Sequence, residues 1–170
     1  RVIEPPTEII HLDDYYQRYQ TYHTDPNLLE LRRKKPISVV WDDHEFANDT
    51  WREGAQNHQP DTEGPWSGRV AAASKAYFDW IPIRRPTVNG VRIYRSLDWG
   101  DLARIVLLDT RLIGRDKQLD YATALLPRLA QGGADAASAI ADFRANVLGD
   151  SKRTMMGAAQ EAWFSHTLAD

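Results

Sequence analysis

The chain contains no cysteine. That excludes disulfide stapling, zinc–thiolate sites and thiol catalysis within these 170 residues. It says little about compartment, because a chain this long does not need disulfides to hold a core. Strong charge of either sign is also missing. Lys and Arg number 21 against 24 Asp and Glu, a net charge of −3, so no bulk attraction to nucleic acid or to anionic membranes is expected. No apolar run approaches the roughly 18 residues that mark a membrane span. There is no internal repeat, and no low-complexity segment beyond alanine enrichment at 130–145. No initiating methionine or signal peptide is visible. Arg1-Val2-Ile3-Glu4-Pro5-Pro6 and the closing Leu168-Ala169-Asp170 read as the interior of a longer protein. The missing targeting segment therefore carries no weight.

What remains is ordinary globular composition. A hydrophobic content of 42% with 26% charged residues suffices for one domain with a buried core. Residues 12–35 read as helical, opened by Asp13 and Asp14 and interrupted at Asp25-Pro26. Tyr15, Tyr16, Tyr19 and Tyr22 lie along one face, and Arg32-Arg33-Lys34-Lys35 closes the end before Pro36. Residues 37–41 form a short apolar strand candidate. Residues 42–65 read mostly as loop, and 66–80 as a helix carrying Val70, Ala73, Tyr77, Phe78 and Trp80 on or near one side. After the turn at Asn89-Gly90, residues 91–99 alternate as a half-buried strand. Residues 103–108 read as a continuous apolar strand, and the short link at Gly100-Asp101 makes the pair an antiparallel hairpin, about 91–109. An alanine-rich helical region follows, broken at Gly132-Gly133 and at Gly149-Asp150, and a last helix starts near Gly157. The fold class is mixed α/β.

The chemistry concentrates where the first strand candidate ends, in Trp41-Asp42-Asp43-His44-Glu45-Phe46-Ala47-Asn48-Asp49-Thr50-Trp51. Strand ends in α/β proteins hold reactive side chains on a rigid backbone. Three carboxylates beside an imidazole repel and desolvate one another unless a cation or phosphoryl group balances them. Alternation sends Asp42 and Asp43 to opposite sides. Asp43 as metal ligand, His44 as phosphate contact or acid, and Glu45 as the group orienting the imidazole form a coherent triplet. The competing reading is a set of solvated charges capping a helix. His44-Glu45-Phe46-Ala47-Asn48 nearly matches the zincin motif, but Asn48 replaces its second histidine and the motif follows a strand, which excludes that class.

Arg111, at the end of the second hairpin strand, suits bidentate phosphate binding, and equally suits a pair with Asp109 locking the turn. Asn48 and Asp49 either line the pocket or form an Asx turn. His58 reads as an exposed loop residue. Trp80 and Trp163 fit helix faces and read as packing rather than base stacking. Arg84-Arg85 is too short a basic patch for nucleic acid.

The 41–51 segment resembles the signature of the PhoD-like alkaline phosphatase/phosphodiesterase family. Ile93-Tyr94-Arg95-Ser96-Leu97-Asp98-Trp99-Gly100-Asp101-Leu102 with Leu107-Leu108-Asp109-Thr110-Arg111 resembles that family's central hairpin. Arg153-Thr154-Met155-Met156-Gly157 with Gln160, Glu161 and Trp163 resembles its next segment. The resemblance implies a calcineurin-like metallophosphatase architecture, a β-sandwich flanked by helices. It implies hydrolysis of phosphate mono- or diesters by a metal-activated water or hydroxide, with Ca²⁺ and Fe³⁺ as the metals. By that resemblance Asp43 takes the place of a metal-bridging asparagine, with Asp42 beside it. His44 is the histidine on the scissile phosphate, Glu45 the acidic residue after it, and Asn48 is substrate-binding; Arg111 is expected to bind substrate from its place at the strand end.

The family's first and last metal-ligand segments find no match here. Residues 1–170 are therefore expected to be a single partial domain, the middle of such an enzyme, with the rest of the same polypeptide supplying the remaining ligands. The expected partner is a small phosphate ester, with no nucleic acid and no membrane span. Family members are usually exported, so a periplasmic or secreted location is expected. Two alternatives stay open: another metal-dependent phosphoester hydrolase such as a nuclease, and a non-catalytic domain whose acidic loop binds calcium.

Overall fold

A computed structural model describes residues 2–85, 91–131 and 135–169. Helix α1, Leu12–His23, starts where Asp14 Oδ2 accepts the backbone N–H of His11 at 2.8 Å. Helix α2, Pro26–Lys34, is capped by Asp25, whose Oδ1 accepts from Asn27 N at 2.9 Å and Leu28 N at 3.0 Å. Proline stands at its first position, where no N–H is needed, and Arg32, Arg33 and Lys34 lie at the end where the helix dipole favours cations. A single turn, α3 at Pro60–Glu63, precedes the long α4, Trp66–Trp80, whose bounds match the periodicity. Its inner face buries Arg69, Ala73, Ala76 and Tyr77, spaced three and four apart.

Helix α1 packs on α4. The core between them gathers Tyr15, Trp41, Phe46, Ala73, Ala76, Tyr77, Ile93 and Leu112. Trp41 sits at its centre, edge-on to Phe46 with centroids 5.0 Å apart and to Tyr77 at 5.2 Å. The tyrosine face packs inward, with Tyr19 stacked parallel on Trp80 at 6.3 Å. Only Tyr22 of the four is largely exposed.

Two strands, β1 (Arg95–Trp99) and β2 (Ala103–Leu107), pair antiparallel, with Arg95 opposite Leu107 and Trp99 opposite Ala103. The hairpin is shorter than the expected 91–109 and far more exposed. Trp99 is 64% and Ile105 47% exposed, because no second layer among the described residues covers it. The turn at Asn89-Gly90 lies outside the described residues, as does Gly132-Gly133.

The expected strand at 37–41 does not form. A strand needs a hydrogen-bonded neighbour, and the described residues set none beside this run. Arg95 occupies that edge instead, its Nη2 donating to Val39 O at 2.7 Å and to Ser38 Oγ at 3.2 Å. The two-stranded hairpin is thus the one sheet among the described residues.

Helices α5 (Tyr121–Ala124), α6 (Leu126–Gln131) and α7 (Ala136–Phe143) follow, with a π-helical turn at Arg144–Leu148 ending before Gly149. Helix α8, Ala158–Ala169, docks back on the hairpin's exit. Its Gln160 is buried and acts as a substitute strand. Oε1 accepts Asp109 N–H at 2.8 Å, and Nε2 donates to Asp109 O at 2.7 Å. The chain entering α8 crosses residues 112–116 so closely that a Cβ on Gly114 would lie 2.3 Å from the backbone of Met156 and Gly157. Gly114→Ala is expected to lower stability by about 1–3 kcal/mol through this overpacking. Thermal unfolding checks it, and an unchanged melting temperature would contradict the close crossing.

Candidate active site

Directly after Trp41 the chain folds into one helical turn, with Phe46 N and Ala47 N donating to Asp43 O at 2.8 and 2.9 Å. The N–H groups at the start of such a turn have no partner within it, and the acidic residues supply them. Glu45 Oε2 accepts Asp42 N–H at 2.6 Å, and Asp43 Oδ1 accepts His44 N–H at 3.0 Å. Asp49, at φ 52°, turns the chain back in the left-handed region that aspartate tolerates. Its N–H then reaches Asp43 Oδ2 at 2.7 Å, and its carbonyl accepts from Gln118 Nε2 at 2.9 Å. So the capping role of the carboxylates is observed, and Asp49 acts as a turn residue.

Asp42 and Asp43 diverge. The Asp42 side chain is 68% exposed and that of Asp43 only 9%. Burial pushes the Asp43 carboxyl up, but the Asp49 N–H, the Arg111 charge and His44 together hold it below the usual carboxylate range. A depressed folded value adds stability above the ordinary value of 3.8. That stability is lost as pH falls through the lower folded value. Urea unfolding of the protein and of Asp43→Asn between about pH 5 and about pH 2 should therefore show the steeper acid loss in the unsubstituted protein. Parallel curves would rule out the linkage.

Arg111 arrives from 69 residues away and pairs through Nε with Asp42 Oδ1. Its Nη2 lies 3.9 Å from Asp43 Oδ1. Asp109 does not form the ion pair with Arg111 that the sequence allowed. Its Oδ1 accepts the backbone N–H groups of Arg111 at 3.0 Å and Leu112 at 2.9 Å. That shapes the turn which aims Arg111 at the acidic loop. Asp109 is wholly buried, and burial pushes its carboxyl up against these N–H groups and the nearby Trp41 indole, which favour the charged form.

His44 is exposed, and its imidazole meets Asn48 rather than Glu45. Nε2 lies 3.1 Å from Asn48 Oδ1. The Asn48 amide is oriented from behind, with Nδ2 donating to Gln56 Oε1 at 2.9 Å and Asn48 O accepting Gln56 N–H at 3.0 Å. Asn48 Oδ1 thus accepts from Nε2 and fixes a proton on that nitrogen. Asp42, Asp43, His44, Glu45, Asn48 and Arg111 form one connected surface.

Behind this loop lies a support the sequence reading missed. Arg69, with its side chain 2% exposed, holds Glu63 and Glu8, each at 2.9 Å. It also donates to Asn57 O at 2.9 Å and to Tyr15 Oη at 3.2 Å. The Tyr15 hydroxyl in turn donates to Phe46 O at 2.6 Å, which clamps the turn carrying His44. The signal was an arginine on the apolar stripe of α4, in register with Ala73 and Ala76. His58, expected to be exposed, is buried beside Glu63 at 3.1 Å and against Trp66. The loop folds inward to reach Arg69, and that carries the histidine with it.

Among the described residues no three His, Asp or Glu side chains converge to hold a metal ion. Both Asp43 oxygens already accept a backbone N–H, and Asp42 is taken by Arg111. A guanidinium at that distance from Asp43 disfavours a second cation. These residues by themselves do not fit a metal centre. What the turn can do is present a guanidinium to a phosphoryl oxygen on the same short segment that carries a proton-bearing imidazole.

A family model described as PhoD-like phosphatase matches residues 1–170. The chain is 31% identical over 164 residues to alkaline phosphatase D of Bacillus subtilis (strain 168), covering 95% of this chain and 25% of that protein. A solved structure of PhoD superimposes with a TM-score of 0.67 at 28% identity, over 94% of this chain and 27% of that one. The chain spans about a quarter of the length of the relatives it matches. No described helix is long and apolar enough to cross a membrane.

Proposed function

This chain belongs to the PhoD-like phosphatase family, and from that premise we propose that its acidic turn and Arg111 form part of a phosphoesterase site for small phosphate mono- or diesters. One observation carries the reading. Folding brings Arg111 across 69 residues onto Asp42, within 3.9 Å of Asp43 and so beside the backbone that carries His44.

Arg111 binds the phosphoryl group in this scheme. A phosphoryl dianion competes with Asp42 for the guanidinium, and the planar fork matches two phosphoryl oxygens at once. Water attacks phosphorus and releases a proton to solvent as the P–O bond to the leaving alcohol breaks. His44, acting as the imidazolium, turns its Nε2–H from Asn48 Oδ1 to the departing oxygen, gives it the Nε2 proton and is reprotonated from solvent. Glu45 supports the turn by holding Asp42 N–H, and Asn48 orients the imidazole until substrate arrives.

The family resemblance adds Ca²⁺ and Fe³⁺, whose role would be to activate the water. As Asp43 and Asp42 stand here they are engaged by the turn and by Arg111. In this proposal they could join such a site only beside ligands from the rest of the same polypeptide, which would also contribute the sandwich that covers the exposed hairpin. A periplasmic or secreted location belongs to the same proposal. A domain that grips calcium without catalysis remains the contrasting reading, and nothing in the geometry favours it over the phosphoesterase.

Supplied alone with Ca²⁺ and Fe³⁺, the 170-residue chain is expected to hydrolyse a phosphodiester barely above background. Robust turnover in that assay would overturn the shared-ligand scheme.

A further inference from the structure

The turn carrying His44 closes one side of a second concavity, about 360 Å³, that α1 and α2 close on the other. A volume of that size is at the small end for ligand sites. His44 and Glu45 stand at one wall, Tyr19 and Tyr22 at another, and Arg18 and Arg32 supply positive charge. A larger groove, about 930 Å³, lies between β1 and residues 82–85, but none of the proposed site residues reaches it.

The two arginines are held by neutral groups. Arg18 donates to Glu4 O at 3.0 Å and Pro5 O at 2.9 Å. Arg32 Nη1 lies 2.7 Å from His23 Nε2. Burial and then the Arg32 charge push the His23 imidazole down, so His23 meets the guanidinium as a neutral acceptor. Among the described residues neither arginine is paired with a carboxylate. Glu45 is the one carboxylate on the wall, and the two guanidiniums outweigh it. Burial pushes the Tyr19 phenol up, with the Glu45 charge adding to the effect, so it lines the cavity as a neutral aromatic side chain.

We propose that this cavity receives the leaving group of the phosphoester, and that Arg32 selects leaving groups combining an aromatic ring with an anionic substituent. The inference rests on the phosphoesterase reading. If His44 protonates the leaving oxygen, the substituent on that oxygen must lie beyond His44, and this cavity is the space there. Tyrosine faces suit a flat ring, and a guanidinium suits a carboxylate or second phosphate bidentately.

The test compares 4-carboxyphenyl phosphate with phenyl phosphate on the full-length protein, following phosphate release. The unsubstituted protein prefers the carboxylated ester. In Arg32→Gln the ratio of the two kcat/KM values falls about tenfold, mainly through KM, and Arg32→Lys recovers part of it. A ratio unmoved by Arg32→Gln overturns the proposal. Calorimetric binding of 4-hydroxybenzoate, the leaving alcohol itself, gives a readout independent of turnover. Binding that weakens about tenfold in Arg32→Gln supports the cavity even if no ester is hydrolysed, a result that would remove only the phosphoesterase reading. No binding to the unsubstituted protein, with both esters still hydrolysed, removes only the cavity.

Discussion

His44→Ala in the full-length protein is expected to lower kcat/KM for a phosphodiester by about 10²–10⁴-fold, the usual contribution of a positioned acid or base. The loss should be smallest for substrates whose leaving group is already a stable anion, such as nitrophenolate, because those need a proton least. His44 is exposed, and among the described residues its imidazole meets Asn48 Oδ1. Removing the ring therefore takes little from the core, and the circular dichroism spectrum should be unchanged. A variant that retains full activity on every ester would favour the calcium-binding domain over the enzyme. Activity on nucleic acid exceeding that on small esters would point to a nuclease. Asn48→Ala should cost less, since it frees the imidazole without removing it.

The second large effect falls on stability. Arg69→Ala should destabilise the fold by about 3–5 kcal/mol, the cost of leaving a buried charge without its partner. For a chain of this size that corresponds to a fall of about 6–20 °C in melting temperature. Glu63, with its side chain 9% exposed, bears most of the penalty, whereas Glu8, at 35%, can turn to water. Adding Glu63→Gln to Arg69→Ala removes the orphaned charge and should restore part of the loss. The damage should also reach the site, because Arg69 steadies Tyr15, and Tyr15 Oη holds Phe46 O. A change below about 1 kcal/mol, the worth of an exposed pair, would show that the network holds nothing.

These two residues mark the boundary of what could be read in advance. The turn that carries His44 was legible because its neighbours in sequence are its neighbours in the turn, and the string 41–51 resembles a family signature. Arg69 was not, because a charge on an apolar stripe has meaning only once its partners are known. Two of those partners, Tyr15 and Glu8, lie 54 and 61 residues away. His58 was misplaced for the same reason: polar neighbours suggested solvent, but the loop folds inward onto Arg69 and Trp66.

Glu45 illustrates a finer limit. Adjacency to His44 made it the natural partner of the imidazole. The helical turn places residue i+4 on the same side instead, and Asn48 took that position.

Local sequence determined the helices, because proline, capping aspartates and the spacing of apolar residues act within a few positions. Helix α4 at Trp66–Trp80 fell where its periodicity put it. The family was also written locally, in the acidic turn, the hairpin and the segment before α8. Only the tertiary structure decided that Arg111 meets Asp42, that Gln160 stands in for a strand beside Asp109, and that residues 37–41 find no partner strand among the described residues. Each of these depends on what lies across space rather than along the chain. A strand is defined by its neighbour and an ion pair by its partner, and neither is encoded at the position where it is seen.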